Sequence, residues 1–109
     1  MNAGYYAVIF TSRRTPEDEE GYEDMARRMY DLAAQQPGFI AVEHAREALG
    51  ITVSYWESLQ SITRWKDQTE HLVAQDQGRA RWYESYHIRI CKVEREYKFH
   101  RSDSNTPGV

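Results

Sequence analysis

Apolar positions recur every second residue at both ends of the chain and at a spacing near 3.6 in two stretches between. That pattern predicts the order strand, helix, strand, strand, helix, strand. Tyr5 to Thr11 reads as the first strand, with Tyr6, Val8 and Phe10 on one face and Tyr5, Ala7 and Ile9 on the other. Both faces are apolar, so each calls for a cover. Thr15-Pro16-Glu17-Asp18 reads as a helix start: Thr15 caps, Pro16 sits where a missing N–H costs nothing, and the acids complement the helix dipole. Tyr22, Met25, Met29, Leu32 and Ala33 then form one stripe, with Glu23, Arg27 and Asp31 facing outward, until Pro37-Gly38 ends the helix.

Phe39 to Glu47 and Ile51 to Trp56 read as two strands joined around Ala48-Leu49-Gly50, where Gly50 is expected to take a positive φ. Ser58 offers a cap to a second helix carrying Leu59, Ile62 and Trp65. Asp67 to Glu70 is expected to break or bend that helix, with Thr69 capping a further segment and Gly78 interrupting it before Arg79 to Ser85. Tyr86 to Phe99 reads as a long last strand. Tyr86, Ile88 and Ile90 alternate, then the apolar phase passes to Cys91, Val93, Tyr97 and Phe99, which predicts a bulge near Ile90-Cys91. The far end of this strand is expected to reach a partner subunit. Residues 1–100 read as one domain and residues 101–109 as a solvated, disordered tail.

This order defines an α+β, ferredoxin-like βαββαβ fold, an antiparallel sheet with both helices on one face. The opposite face, carrying Tyr5, Ala7 and Ile9, is left open and apolar. Two such faces packed together make a dimeric α+β barrel, so burial predicts a homodimer through the sheet face.

Composition narrows the possible partners. A chain of 109 residues is one domain, and a net charge of −3 supplies no basic field for a phosphate backbone, so nucleic acid is not expected. The single cysteine, Cys91, makes no internal disulfide and suits a reducing compartment. Residues Met1 to Tyr5 lack the basic start and apolar run of a signal peptide, and no stretch reaches the ~20 apolar residues of a membrane span. The expected location is cytoplasmic, with no membrane partner. Three Trp, eight Tyr and three Phe are many for so small a core, which suggests that some line a cavity.

Catalytic signatures are sparse: the chain holds no Gly-rich phosphate loop, no paired-cysteine zinc spacing and no G-x-S-x-G turn. His44, His71, His87 and His100 are scattered. Glu84-x-x-His87 has the spacing of a carboxylate-bridged metal site, but it falls where helix gives way to strand and a second set is missing, so no metal is expected. Attention falls on Trp56 through Trp82. His71, Gln75, Gly78 and Trp82 follow helical spacing, a stripe polar enough to address a ligand and flat enough to stack one. Each residue also has a plainer reading: Trp65 and Trp82 as core, His71 and Arg79 as solvated helix surface, Tyr83 as packing on the sheet.

The run Ser54-Tyr55-Trp56-Glu57-Ser58-Leu59-Gln60-Ser61-Ile62-Thr63-Arg64-Trp65 resembles the strand-into-helix segment of the antibiotic biosynthesis monooxygenase family. Residues His71 to Arg79, Arg81 to Tyr86 and Pro37-Gly38-Phe39 extend the resemblance over about Tyr5 to Phe99. The resemblance implies a dimeric α+β barrel with a pocket in each subunit. It also implies one of several activities: oxygenation of reduced aromatic polyketides without metal or flavin, haem binding and degradation, or ligand binding without a reaction. The Asn that haem-degrading members carry on the first strand has no counterpart beside Phe10-Thr11, and His71 lies closer to Trp65 than their pattern requires. The expected function is therefore cofactor-free oxygenation of a small aromatic or polyketide-like substrate, with His71 and Trp65 as catalytic residues. Phe10, Trp56, Gln75, Arg79, Trp82 and Tyr83 are expected to bind the substrate.

Overall fold

The computed structural model describes residues 2–76 and 79–101, with the side chains of residues 4–69 and 81–101. Its elements are β1 (Asn2–Arg14), α1 (Glu19–Ala34), β2 (Phe39–Arg46), β3 (Gly50–Trp56), α2 (Leu59–Asp76), α3 (Arg79–Trp82) and β4 (Tyr83–Arg95). The four strands form one sheet in the order β2-β3-β1-β4, and every neighbouring pair is antiparallel. This is the ferredoxin-like α+β arrangement, with a one-turn helix added before the last strand.

Both helices pack on one face. Val8 of β1 and Trp56 of β3 are buried together with Ala33 of α1 and Ile62 of α2, and Tyr6, Phe39 and Trp65 pack around them. No described helix is long and apolar enough to cross a membrane.

Several local expectations are corrected. The cap of α1 is Asp18, not Thr15: Asp18 sits at φ 50°, and its carboxylate accepts from Gly21 N–H. Thr15 is occupied elsewhere, its N–H donating to the Trp82 carbonyl and its hydroxyl to the Arg81 carbonyl, so the chain is tied to α3 before the helix begins. Gly50 does not take a positive φ; it is the first residue of β3, and Gly38 supplies the left-handed turn instead. At φ 90° Gly38 also lies where an added Cβ would meet Ser61 Oγ at 2.1 Å, so α2 can approach only a bare backbone.

The cap at Ser58 is as expected, its Oγ accepting from Ser61 N–H at 3.1 Å. Helix α2 does not break at Asp67 to Glu70 but continues to Asp76. Thr69 is buried within it and returns its hydroxyl to the Lys66 carbonyl at 2.9 Å, a bond made inside the helix rather than a cap. The position of Gly78 lies outside the described residues, as does the tail beyond residue 101.

The last strand begins at Tyr83 and ends at Arg95, where the expectation was Tyr86 to Phe99. Its partner explains both limits: β1 extends to Arg14, which pairs with Tyr83, and begins at Asn2, which pairs with Arg95. Tyr97 and Phe99 fall beyond the ladder and are exposed. No bulge occurs at Ile90-Cys91; the β1–β4 register is regular from Tyr5–Val93 to Arg13–Ser85 and shifts only outside these pairs. The change of apolar phase instead marks a change of face. Ile88 and Ile90 point to the helix side with Phe10 and Val8, whereas Cys91 and Val93 point to the open side with Ala7 and Tyr5.

Candidate functional site

The helix side of the sheet carries two aromatic groups at opposite ends. In the first, Trp56 is fully buried and donates its Nε1–H to Ser54 Oγ at 2.9 Å. Phe39 meets it edge-on at 5.5 Å between ring centroids, and Trp65 from α2 lies over it at 5.0 Å with 32° between planes. The Nε1 of Trp65 is buried and has no hydrogen-bond partner among the described residues. An unmet indole donor is costly in a core and is what an incoming acceptor would satisfy.

The second group gathers at the Arg14 end of β1. Phe10 stacks on Tyr86 at 5.4 Å and meets the edge of Tyr83 at 5.7 Å. Tyr22 of α1 approaches Tyr83 at 5.8 Å and Trp82 at 6.3 Å. Two guanidinium groups face the same Tyr22 ring, Arg14 at 3.7 Å and Arg46 at 5.7 Å from its centroid. Arg14 is held by Glu19 at 2.8 Å, whereas Arg46 donates to the buried hydroxyl of Ser12. Burial, the neighbouring Tyr22 phenol and a hydrogen bond with it push the Tyr83 hydroxyl well above the usual phenol range, against the pull of Arg46 and Arg14. Tyr83 therefore stays protonated and acts as a hydrogen-bonding group, not a base.

Between the groups, the β4 edge of this face is partly exposed. Tyr86, Ile88 and Ile90 are 39%, 41% and 49% exposed and form an apolar floor beside Phe10.

The expected site residues thus divide. Trp56 and Trp65 meet at one end; Phe10, Trp82 and Tyr83 meet at the other. Trp82 is buried, and its Nε1–H is taken by Asp18 at 3.1 Å, so its polar edge serves the β1–α1 turn. His71 and Gln75 fall on the backbone of α2 and Arg79 opens α3, but their side chains lie outside the described residues. Glu84 and His87 are both on β4, three residues apart, with Glu84 at the register shift where Arg13 pairs with Ser85 and Arg14 with Tyr83. Sequence reasoning missed Ser12, Tyr22 and Arg46. The signal available for Arg46 was the hairpin itself, which sets an arginine opposite a glycine.

The open face of the sheet holds a hollow of about 630 Å³, lined by Ala7, Ile9, Ala41, Val53, Cys91 and Val93 among others. Two tyrosines on it are bonded to acids, Tyr5 to Glu96 and Tyr55 to Glu43. The Glu43 bond, with some burial, pushes the Tyr55 hydroxyl up to about 12.

Comparison with known proteins places this geometry. A Bacillus subtilis (strain 168) protein described as uncharacterised, YqjZ, is 50% identical over 103 residues, covering 93% of this chain and 90% of its own. A jasmonate monooxygenase of Pyricularia oryzae is 30% identical over 92 residues, or 81% of this chain, but this chain spans only 43% of its length. The crystal structure of SnoaB, a cofactor-independent oxygenase from Streptomyces nogalater, superposes with a TM-score of 0.70 over 86% of this chain and 97% of its own. At 14% identity that likeness is one of fold. Residues 5–77 match the model of the antibiotic biosynthesis monooxygenase family, a stretch that takes in β1 from Tyr5 onward, both Trp56 and Trp65, and α2 entire. With the sheet order, the two helices on one face and a half-identical relative in agreement, the chain belongs to the antibiotic biosynthesis monooxygenase family.

Proposed function

We propose that this protein is a cofactor-independent monooxygenase acting on a small aromatic or polyketide-like substrate held between the sheet and the helices. The observation that carries the reading is the buried, unpartnered Nε1–H of Trp65 lying beside Trp56. Among the described residues it is a donor with no acceptor, in a family named for monooxygenases, on a face whose β4 edge is apolar and partly exposed.

The chemistry asked of the protein is modest. An electron-rich phenol or enol loses a proton, its carbanion passes an electron to O₂, and the radical pair recombines to a peroxide. Loss of water then leaves a new carbonyl, so that a ring CH₂ and one O₂ become C=O and H₂O. The protein's task is to bind the flat ring, accept the proton, stabilise the anion and keep water out. In this reading His71 takes the proton and Trp65 donates to the substrate oxygen, while Phe10 and Tyr83 contact the ring. The working unit is a homodimer closed through the open sheet face, because the Ala7, Ile9, Val53 and Val93 surface is apolar and hollow.

The test is oxygen consumption with an anthrone- or quinol-type compound. Turnover is expected in the wild type and a large loss in His71→Ala and Trp65→Phe. Saturable quenching of Trp fluorescence without oxygen uptake would instead identify a binding protein with no reaction.

A further inference from the structure

The second aromatic group contains an element that cofactor-free oxygenation by itself does not explain. Arg46 of β2, Gly50 of β3, Ser12 of β1 and Tyr86 of β4 form one lateral row across the sheet. The Arg46 side chain runs along this row over Gly50 and ends on Ser12 Oγ, which is 2% exposed. Its passage depends on the missing side chain: a Cβ on Gly50 would fall 2.1 Å from Arg46 Nη2 and 2.2 Å from Cζ. The row therefore brings an exposed arginine to the helix side of the sheet, facing Tyr22, whose ring meets that of Tyr83 edge-on. Among the described residues no carboxylate pairs with Arg46. Its polar contacts among the described residues are one neutral hydroxyl and the face of an aromatic ring. A guanidinium has five N–H donors in a planar fork that matches a carboxylate, and most of them are uncommitted here. Next to this cation lies apolar surface, Phe10 stacked on Tyr86 and continuing to Ile88 and Ile90.

We propose that Arg46, led across the sheet by Gly50 and steadied by Ser12, is an anion subsite that selects substrates with a flat apolar body and a carboxylate or enolate at one end. The proposal rests on the oxygenase reading for the word substrate, but the subsite is a binding property and stands or falls separately. Charge complementarity fits it, since burial keeps the neighbouring Tyr83 phenol protonated, so that it brings no competing negative charge.

The experiment is calorimetric titration of the full chain, without oxygen, using 2-naphthoate and its neutral isostere 2-naphthamide. The wild type is expected to bind the carboxylate at least tenfold more tightly than the amide. Arg46→Gln is expected to weaken naphthoate binding tenfold or more and leave the amide unchanged. Gly50→Ala is expected to act in the same direction by displacing the guanidinium, and circular dichroism reports whether either variant is folded. Equal affinities in the wild type, no binding of the carboxylate, or equal weakening of both ligands by Arg46→Gln would each overturn the subsite. Because no turnover is measured, absence of oxygenase activity leaves this result intact, and loss of the carboxylate preference leaves the oxygenase reading to its own assay.

Discussion

Asp18 and Trp82, 64 residues apart, share a hydrogen bond of 3.1 Å from the indole Nε1–H to the carboxylate that caps α1. One carboxylate thus serves Gly21 N–H and Trp82 at once, with Arg81 at 3.6 Å. The Trp82 hydrogen bond, above all, holds the Asp18 carboxyl below its ordinary value of 3.8, with Arg81, Gly21 and Arg14 adding to it against some desolvation. A lowered folded pKa contributes stability that is present above the unfolded pKa and is lost as pH falls through the folded one. Trp82→Phe keeps a ring against Tyr22 but frees the carboxylate, so thermal melts from pH 2 to 6 are expected to place its loss of stability at higher pH than in the wild type. An unchanged acid limb would show that the bond does not form in solution.

Trp65→Phe separates a ligand donor from a structural one. The free protein is expected to be as stable as the wild type or more so, because an unmet buried N–H costs about 1–3 kcal/mol and the substitution removes it. Substrate turnover, in contrast, is expected to fall about tenfold or more, as loss of one hydrogen bond to a reacting oxygen costs about 1.4 kcal/mol or more. Thermal melts and oxygen uptake on the same preparation check both halves.

Trp56 has no such dual character. It is 0% exposed, its N–H is satisfied by Ser54, and Phe39 and Trp65 close on it. Trp56→Ala is expected to cost about 3–5 kcal/mol. A domain of this size has only about 5–15 kcal/mol in total, so urea unfolding should show a much lower midpoint or no folded baseline.

Ile9 and Val53 are cross-strand partners on the open face. A lysine in place of Ile9 sets a charge in the middle of the proposed dimer contact. Sedimentation equilibrium is expected to give a dimer for the wild type and a monomer for Ile9→Lys, with unchanged circular dichroism.

The tyrosine–acid pair on that face has its own signature. The Tyr55 hydroxyl, ordinarily near 10, is pushed up to about 12 by its bond to Glu43. A raised folded pKa gives stability that is complete below pH 10 and is lost between 10 and 12. Tyr55→Phe should flatten the loss over that window in alkaline melts, and ultraviolet titration should show one fewer late-ionising phenol.

The sequence made the fold readable because strand and helix periods are strong in Tyr5–Thr11, Tyr22–Ala33 and Ile51–Trp56, and the order of elements leaves few topologies. Boundaries fared worse where a tertiary contact decided them. Thr15 looks like a cap and is instead bound to the carbonyl of Arg81; Thr69 looks like a second cap and is a buried residue of a continuous helix. Ile90-Cys91 looked like a bulge because period alone cannot tell a kink from a strand with two apolar faces. The same holds at the candidate site. Aromatic content pointed to Phe10, Trp56, Trp65 and Tyr83, but only sheet register brings Arg46 to Ser12, since the two are 34 residues apart and meet over a third strand.

The spacing of the two aromatic groups acts as a ruler. Tyr6, the cross-strand neighbour of Trp56, and Phe10, which stacks on Tyr86, lie four residues apart on β1, a separation of roughly 13 Å. A single benzene ring can touch one group or the other. A molecule that meets both Trp65 and Phe10 has to be elongated, with several fused rings or a ring and a chain, so length joins charge as a criterion for choosing compounds to screen.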